Sequence, residues 1–212
     1  EEVNAIVQAA KDYGFHTAAH AHGAEGMKRA VLAGITTIEH GTLMSEEVMD
    51  LMKEKGTYLV ATIIAGRSAA EFAKIPGYYH PLVVPKALAI GSKIQENFGK
   101  AYKRGVPIAF GTDILMAPGK TATQGKQLAK LAQFMSPLEA LRVATGNNGK
   151  LLALAGERAP YGGAPLGYIT PGAPADVLLV EGNPERDLSF LVDPARTLRL
   201  IVKDGRIHKR TI

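Results

Sequence analysis

A chain of 212 residues, 46% hydrophobic and 21% charged, is long enough for one sizeable domain or a domain with a small appendage. It contains no cysteine, which excludes disulfides, zinc thiolate sites and cysteine nucleophiles, so any transition metal must be held by His, Asp or Glu. The net charge of +5 comes from scattered basic residues whose one dense run, Lys203 to Arg210, lacks interleaved aromatics, so no nucleic-acid binding is expected. No apolar run reaches the roughly 18 residues of a membrane span, and no membrane partner is expected.

From the start, helical and strand signals alternate. The spacing of Val3, Ile6, Val7 and Ala10 predicts a helix from Glu2 to Tyr13, stopped by Gly14. Phe15 to Ala21 reads as a buried strand, Ala24 to Ala33 as a helix ended by Gly34, and the β-branched run Ile35 to Glu39 as a second strand. Ser45 is placed to cap a helix with Glu46 and Glu47 in its first turn, Lys53 and Lys55 in its last, and Gly56 beyond. The apolar run Thr57 to Ile64 predicts a third strand, Ala65 to Pro85 a long loop, and Lys86 to Arg104 a helix burying Ile90, Ile94 and Phe98. Pro107 to Thr112 completes a fourth strand.

Nearly continuous apolar strands alternating with helices indicate parallel βα units. Four strands are too few to close an eight-stranded barrel, so the pattern fits either a small open sheet or half of a barrel. Beyond residue 113 the texture changes. Ser136-Pro137-Leu138-Glu139 is a helix start, Asn147 to Leu154 a short further helix, and Ala155 to Pro165 a Gly- and Pro-rich loop. Asp176 to Val180, Thr197 to Val202 and Arg206 to His208 read as short antiparallel strands, with Asp204-Gly205 as a hairpin turn. The segment Leu115 to Gln127, rich in Gly, Thr and Ala, is expected to be mobile.

Chemistry-bearing residues collect at strand ends. His20 and His22 close the first strand, His40 the second and Asp113 the fourth. In parallel βα proteins the carboxyl ends of the strands form the floor of the site, and side chains there converge. Imidazoles and a carboxylate converging on one spot suit Zn or a similar divalent ion. Any one of these residues alone reads more readily as a structural histidine or a helix-capping Asp; the combination at matching strand ends carries the expectation. Arg67, in the loop beyond the third strand, is a candidate to hold a substrate carboxylate bidentately, though a solvated loop arginine fits it more readily. His22 is a candidate substrate contact, and a structural role fits it equally well.

HAHG, IEHG and AFGTD in this order, followed by SPLEALRVATGNNGKLLAL, GYITPGAPADVLLVEGNP and IVKDGRI, resemble the amidohydrolase superfamily over essentially the whole chain. The likeness is to the branch that groups imidazolonepropionase-like proteins with Xaa-Pro dipeptidases. It implies that residues 1–155 are the second half of a TIM-like (β/α)8 barrel, four βα units, and that 156–212 are C-terminal strands of a small β-sandwich. His20-Ala21-His22 then matches the fifth strand and not the first-strand His-x-His pair, because no strand-end Lys lies between it and His40. The resemblance implies that His20 and His40 bind one metal ion. Asp113 would bind a second and act as general base in hydrolysis of an amide or peptide bond, with Zn as the expected metal.

The family's first-strand histidine pair and the usually carboxylated Lys that bridges the metals have no counterpart here. The missing N-terminal half of the barrel is therefore an expected partner, and the true N-terminus is expected upstream, which leaves open whether the protein is cytoplasmic or periplasmic. Two open sheet edges and much apolar surface also lead to the expectation of a homo-oligomer. A cyclic-amide hydrolase of the imidazolonepropionase type and a non-catalytic assembly module are the competing readings.

Overall fold

A computed structural model of the chain describes residues 1–114 and 124–212. The described chain divides into two units, Glu1–Asp113 and Ile114–Ile212.

The first unit is a run of βα repeats. Helix α1 (Glu2–Asp12) precedes β1 (Ala18–Gly23), α2 (Ala24–Ala33), β2 (Thr37–Leu43), α3 (Glu46–Lys55), β3 (Tyr58–Val60), α4 (Ile63–Phe72), α5 (Val84–Arg104) and β4 (Ile108–Ala109). The four strands are parallel and lie side by side in chain order. Register fixes their faces. His20, Glu39, Val60 and Ala109 are aligned across the sheet on one face. Ala19, Ile38, Leu59 and Ile108 are aligned on the other, where the last three are buried with Met27, Val31, Val48, Met52, Ile94 and Phe98 of the helices.

Local chemistry accounts for the helix ends. The Ser45 hydroxyl accepts from the Val48 amide, and α2, α3 and α5 stop at Gly34, Gly56 and Gly105 in the left-handed conformation. Arg104 of α5 grips Asp50 of α3 through two nitrogens, at 2.7 and 3.0 Å, and reaches Glu46 at 3.1 Å.

The expected third strand and the loop after it are corrected. The apolar run Thr57 to Ile64 is strand only as far as Val60; Ile63 and Ile64 already belong to α4, which occupies most of the first half of the expected loop. A short apolar run does not distinguish a buried strand from a buried helix, and here Thr62 turns the chain with φ of 44°. Arg67 thus lies on a helix and not in a loop. The α4–α5 pair packs closely because Gly66 and Gly91 offer no side chain at the crossing: a Cβ on Gly91 would lie 2.7 Å from that of Ala70.

The second unit contains α6 (Gln124–Leu131), α7 (Pro137–Arg142), a π-helical turn Val143–Asn147 and α8 (Asn148–Ala153). Ser136 caps α7 as its sequence predicts, accepting from the Glu139 amide. Of the segment expected to be mobile, residues 115–123 lie outside the described residues, and 124–127 open α6. Strands β5 (Val177–Val180), β6 (Leu198–Lys203) and β7 (Arg206–Arg210) form an antiparallel sheet. Its hairpin turns on Asp204 and Gly205, both at positive φ, the conformation a two-residue turn requires. The chain around Leu166 lies directly against α8: a Cβ on Gly149 would stand 2.1 Å from the Leu166 carbonyl oxygen.

Candidate metal centre

The candidate site of the first unit lies at the carboxyl ends of β1 and β2. His20 and His22 alternate by two along β1, so both project to the same face, and their ring centroids lie 4.7 Å apart. His40 requires a different device. It is paired with Ala21, one residue beyond the aligned His20 and Glu39, so simple alternation would point it to the opposite, helix-covered face.

A bulge in β2 prevents this. Ala21 pairs with His40 but Gly23 pairs with Leu43, so β2 carries one extra residue, and His40 and Gly41 have φ of 73° and 60°. The left-handed turn brings the His40 ring to 4.4 Å from His20 and 5.0 Å from His22. Gly41 is constrained twice over, by its φ and by space: a Cβ there would sit 2.6 Å from Leu59 Cδ1.

One ligand atom from each of His20, His22 and His40 lies within 4.8 Å of the other two. Two of the rings are held from behind. His22 Nδ1 is 2.8 Å from Thr42 Oγ1, and His40 Nδ1 is 2.7 Å from Thr62 Oγ1. Burial, reinforced by His20, holds the His22 imidazole below its usual pKa. Burial does the same for His40, with His20 and His22 adding to it and Asp113 partly opposing. Both rings are therefore neutral at neutral pH, the form a metal ion requires. Clustered neutral imidazoles fit a divalent ion with a preference for nitrogen ligands.

Asp113 closes the strand-end segment of β4 with φ of 49° and is solvent-exposed. It stands outside the group of three histidines, yet close enough to influence the protonation of His40 and Glu39. Arg67 has no hydrogen-bond or ion-pair partner among the described residues.

Sequence reasoning missed Glu39, Thr42 and Thr62. Glu39 is aligned with His20 and accepts a 2.6 Å hydrogen bond from the Thr37 hydroxyl. Burial pushes its carboxyl pKa up against the effect of that bond, with Asp113 adding to the rise and His20 opposing it. The alternation Thr37, Glu39 in front of His40 was the available signal. For the threonines the only hint is their position, two residues beyond His40 and Val60 at strand ends.

Comparison with known proteins adds to this geometry. The chain is 44% identical, with a TM-score of 0.86, to a crystal structure of a Xaa-Pro dipeptidase with methionine in its active site, covering 99% of this chain and 48% of that one. It is 35% identical to the ochratoxinase of Aspergillus niger over 99% of its own length and 41% of that protein's. It is 31% identical to the imidazolonepropionase of Caldanaerobacter subterraneus over 85% of its own length and 38% of the relative's. The chain thus spans less than half the length of each of these relatives. The sequence pattern of the amidohydrolase family matches residues 1–207, and the chain belongs to that family.

Proposed function

We propose that this chain provides one half of a metal-dependent hydrolase of amide or peptide C–N bonds, acting on small substrates in the manner of a dipeptidase or carboxypeptidase. The observation that carries the reading is the convergence of His20, His22 and His40 at the carboxyl ends of two parallel strands, in a chain of the amidohydrolase family. The 44% identity to the Xaa-Pro dipeptidase favours dipeptides over cyclic amides as the substrate class.

In this reading His20 and His40 hold a metal ion, with zinc as the expected occupant, and Asp113 holds a second ion. A bound divalent ion supplies Lewis acidity that lowers the pKa of water and polarises the scissile carbonyl. Asp113 accepts the proton of the attacking water on its carboxylate and passes it to the leaving amine nitrogen. Its exposed place at the end of β4 gives it access to both. His22 faces the substrate beside His20, and Arg67, on the first turns after β3, pairs with the substrate carboxylate. Residues 1–155 form the barrel half and 156–212 the sandwich strands; the remaining half of the barrel supplies the carboxylated Lys. A homo-oligomer is part of the same proposal.

The test is hydrolysis of an Xaa-Pro dipeptide by the protein that carries this chain, with its metal content measured alongside. Chelation is expected to abolish turnover and zinc to restore it, and Asp113→Asn to lower kcat by at least about 100-fold, a typical loss for a general base, while the ion at His20 and His40 remains bound. Turnover that survives chelation, or an Asp113→Asn variant as active as the parent, overturns the proposal.

A further inference from the structure

We propose that Thr62 and Thr42 are positioning residues for the cluster: each hydroxyl engages Nδ1 of one histidine, His40 and His22 respectively, and so reserves Nε2 of that ring, for a divalent ion at His40 and for the substrate at His22. The inference rests on the metal-centre reading of the three histidines.

The arrangement is repeated. His22 on β1 meets Thr42 on β2, and His40 on β2 meets Thr62 just beyond β3, so each imidazole is held by a hydroxyl from the next strand along. Both threonines are buried, Thr42 completely and Thr62 to within 4% exposure. The imidazole is the hydrogen-bond partner that each hydroxyl has among the described residues. A buried hydroxyl needs a partner, and a ring nitrogen bonded to it is withdrawn from other roles. Thr62 adds a backbone argument. Its φ of 44° is rare for a β-branched residue, and such conformations persist where the surroundings hold them and cluster at functional sites.

A hydroxyl also suits this position better than a carboxylate. It both donates and accepts, so it can follow either neutral tautomer of the ring. In the metal-free protein the hydroxyl can donate to Nδ1 while Nε2 carries the proton. When an ion takes Nε2, the ring proton resides on Nδ1 and the rotated hydroxyl accepts it. The ring itself need not turn. His20 contrasts with its neighbours: its ring has no hydrogen-bond partner among the described residues.

The experiment combines zinc affinity, by competition with a chromophoric chelator, with long-range 15N NMR of the imidazoles in the metal-free and zinc-loaded protein. In the parent, His40 is expected to bind zinc through Nε2, and His22 to show a single tautomer pattern. Thr62→Val removes the hydroxyl with little change of shape; it is expected to weaken zinc binding about tenfold, the lower range for loss of such a partner, and to give His40 mixed Nδ1 and Nε2 signatures. Thr62→Ser is expected to restore both readouts, which a purely packing role of the methyl group does not allow. Thr42→Val, at a position with negative φ, repeats the NMR test at His22, where a mixed pattern is expected and an unchanged one refutes the hold, and carries the inference alone if Thr62→Val does not fold.

Parental affinity together with the parental His40 pattern in Thr62→Val overturns the inference. If the parent itself binds no zinc, the metal-centre reading fails. The hydroxyl's hold on Nδ1 is still upheld if the metal-free His40 signature is single in the parent and mixed in Thr62→Val, and refuted if the two are identical.

Discussion

His40 and His22 are buried enough that their charged forms are disfavoured, and this has a measurable sign. A histidine whose folded pKa lies below its usual 6.5 leaves stability unaffected above that value and removes it as pH falls from there through the folded pKa, because the unfolded chain takes up the proton more readily. The metal-free protein is therefore expected to lose stability as pH drops below 6.5. His40→Gln and His22→Gln should each flatten that decline, read as the urea midpoint across a pH series; an unchanged slope in both removes the two rings as its source. Glu39 acts with the opposite sign: its raised pKa gives a contribution that is complete below 4.5 and disappears as pH rises through the folded value.

At the scale of elements, the bulge at His40-Gly41 determines which face of β2 carries the imidazole. Gly41→Ala forces a Cβ into positive φ and against Leu59 and Met44, and is expected to cost about 1–3 kcal/mol by chemical denaturation and to weaken zinc binding. Full retention of both would show that the bulge tolerates a side chain. In the second unit, Gly149→Ala collides with the Leu166 carbonyl, a backbone atom with little freedom to move. A fall in Tm of several degrees is expected, roughly the effect of 1–2 kcal/mol in a domain of this size, and an unaltered Tm would show that the 166–168 strap yields.

These elements also show how far the sequence could be read. Periodicity, caps and terminal glycines located α1, α2, α3 and α5 within a residue or two, because each signal is local. The start of α4 was hidden, since Ile63 and Ile64 extend an apolar run that hydrophobicity alone assigns to β3. The histidines were legible as strand-end residues. The bulge that aims His40, and the hydroxyls behind it, depend on register between strands that no local window contains.

For the whole molecule, sheet order equals chain order in the first unit, and the family match runs through both units. The second unit's sheet leaves apolar residues exposed, Val177, Leu178, Leu179 and Ile207 among them. No helix among the described residues is long and apolar enough to cross a membrane.

The sheet order has a kinetic consequence. Pairing β1 with β2, or β2 with β3, closes a loop of roughly 20 residues, whereas pairing β3 with β4 closes one of roughly 50, which costs about 0.8 kcal/mol more in chain entropy. The histidine cluster is thus the product of an early, short-range closure, and Asp113 is delivered by the slowest one. Native-state hydrogen exchange is expected to show the Ile108 and Ala109 amides opening at lower free energy than those of Ile38 and Glu39; the reverse order would contradict this assembly sequence. On the proposed reading, His20 and His40 would then be in place before Asp113 arrives, so that a nascent chain could take up one ion before it could turn over a substrate.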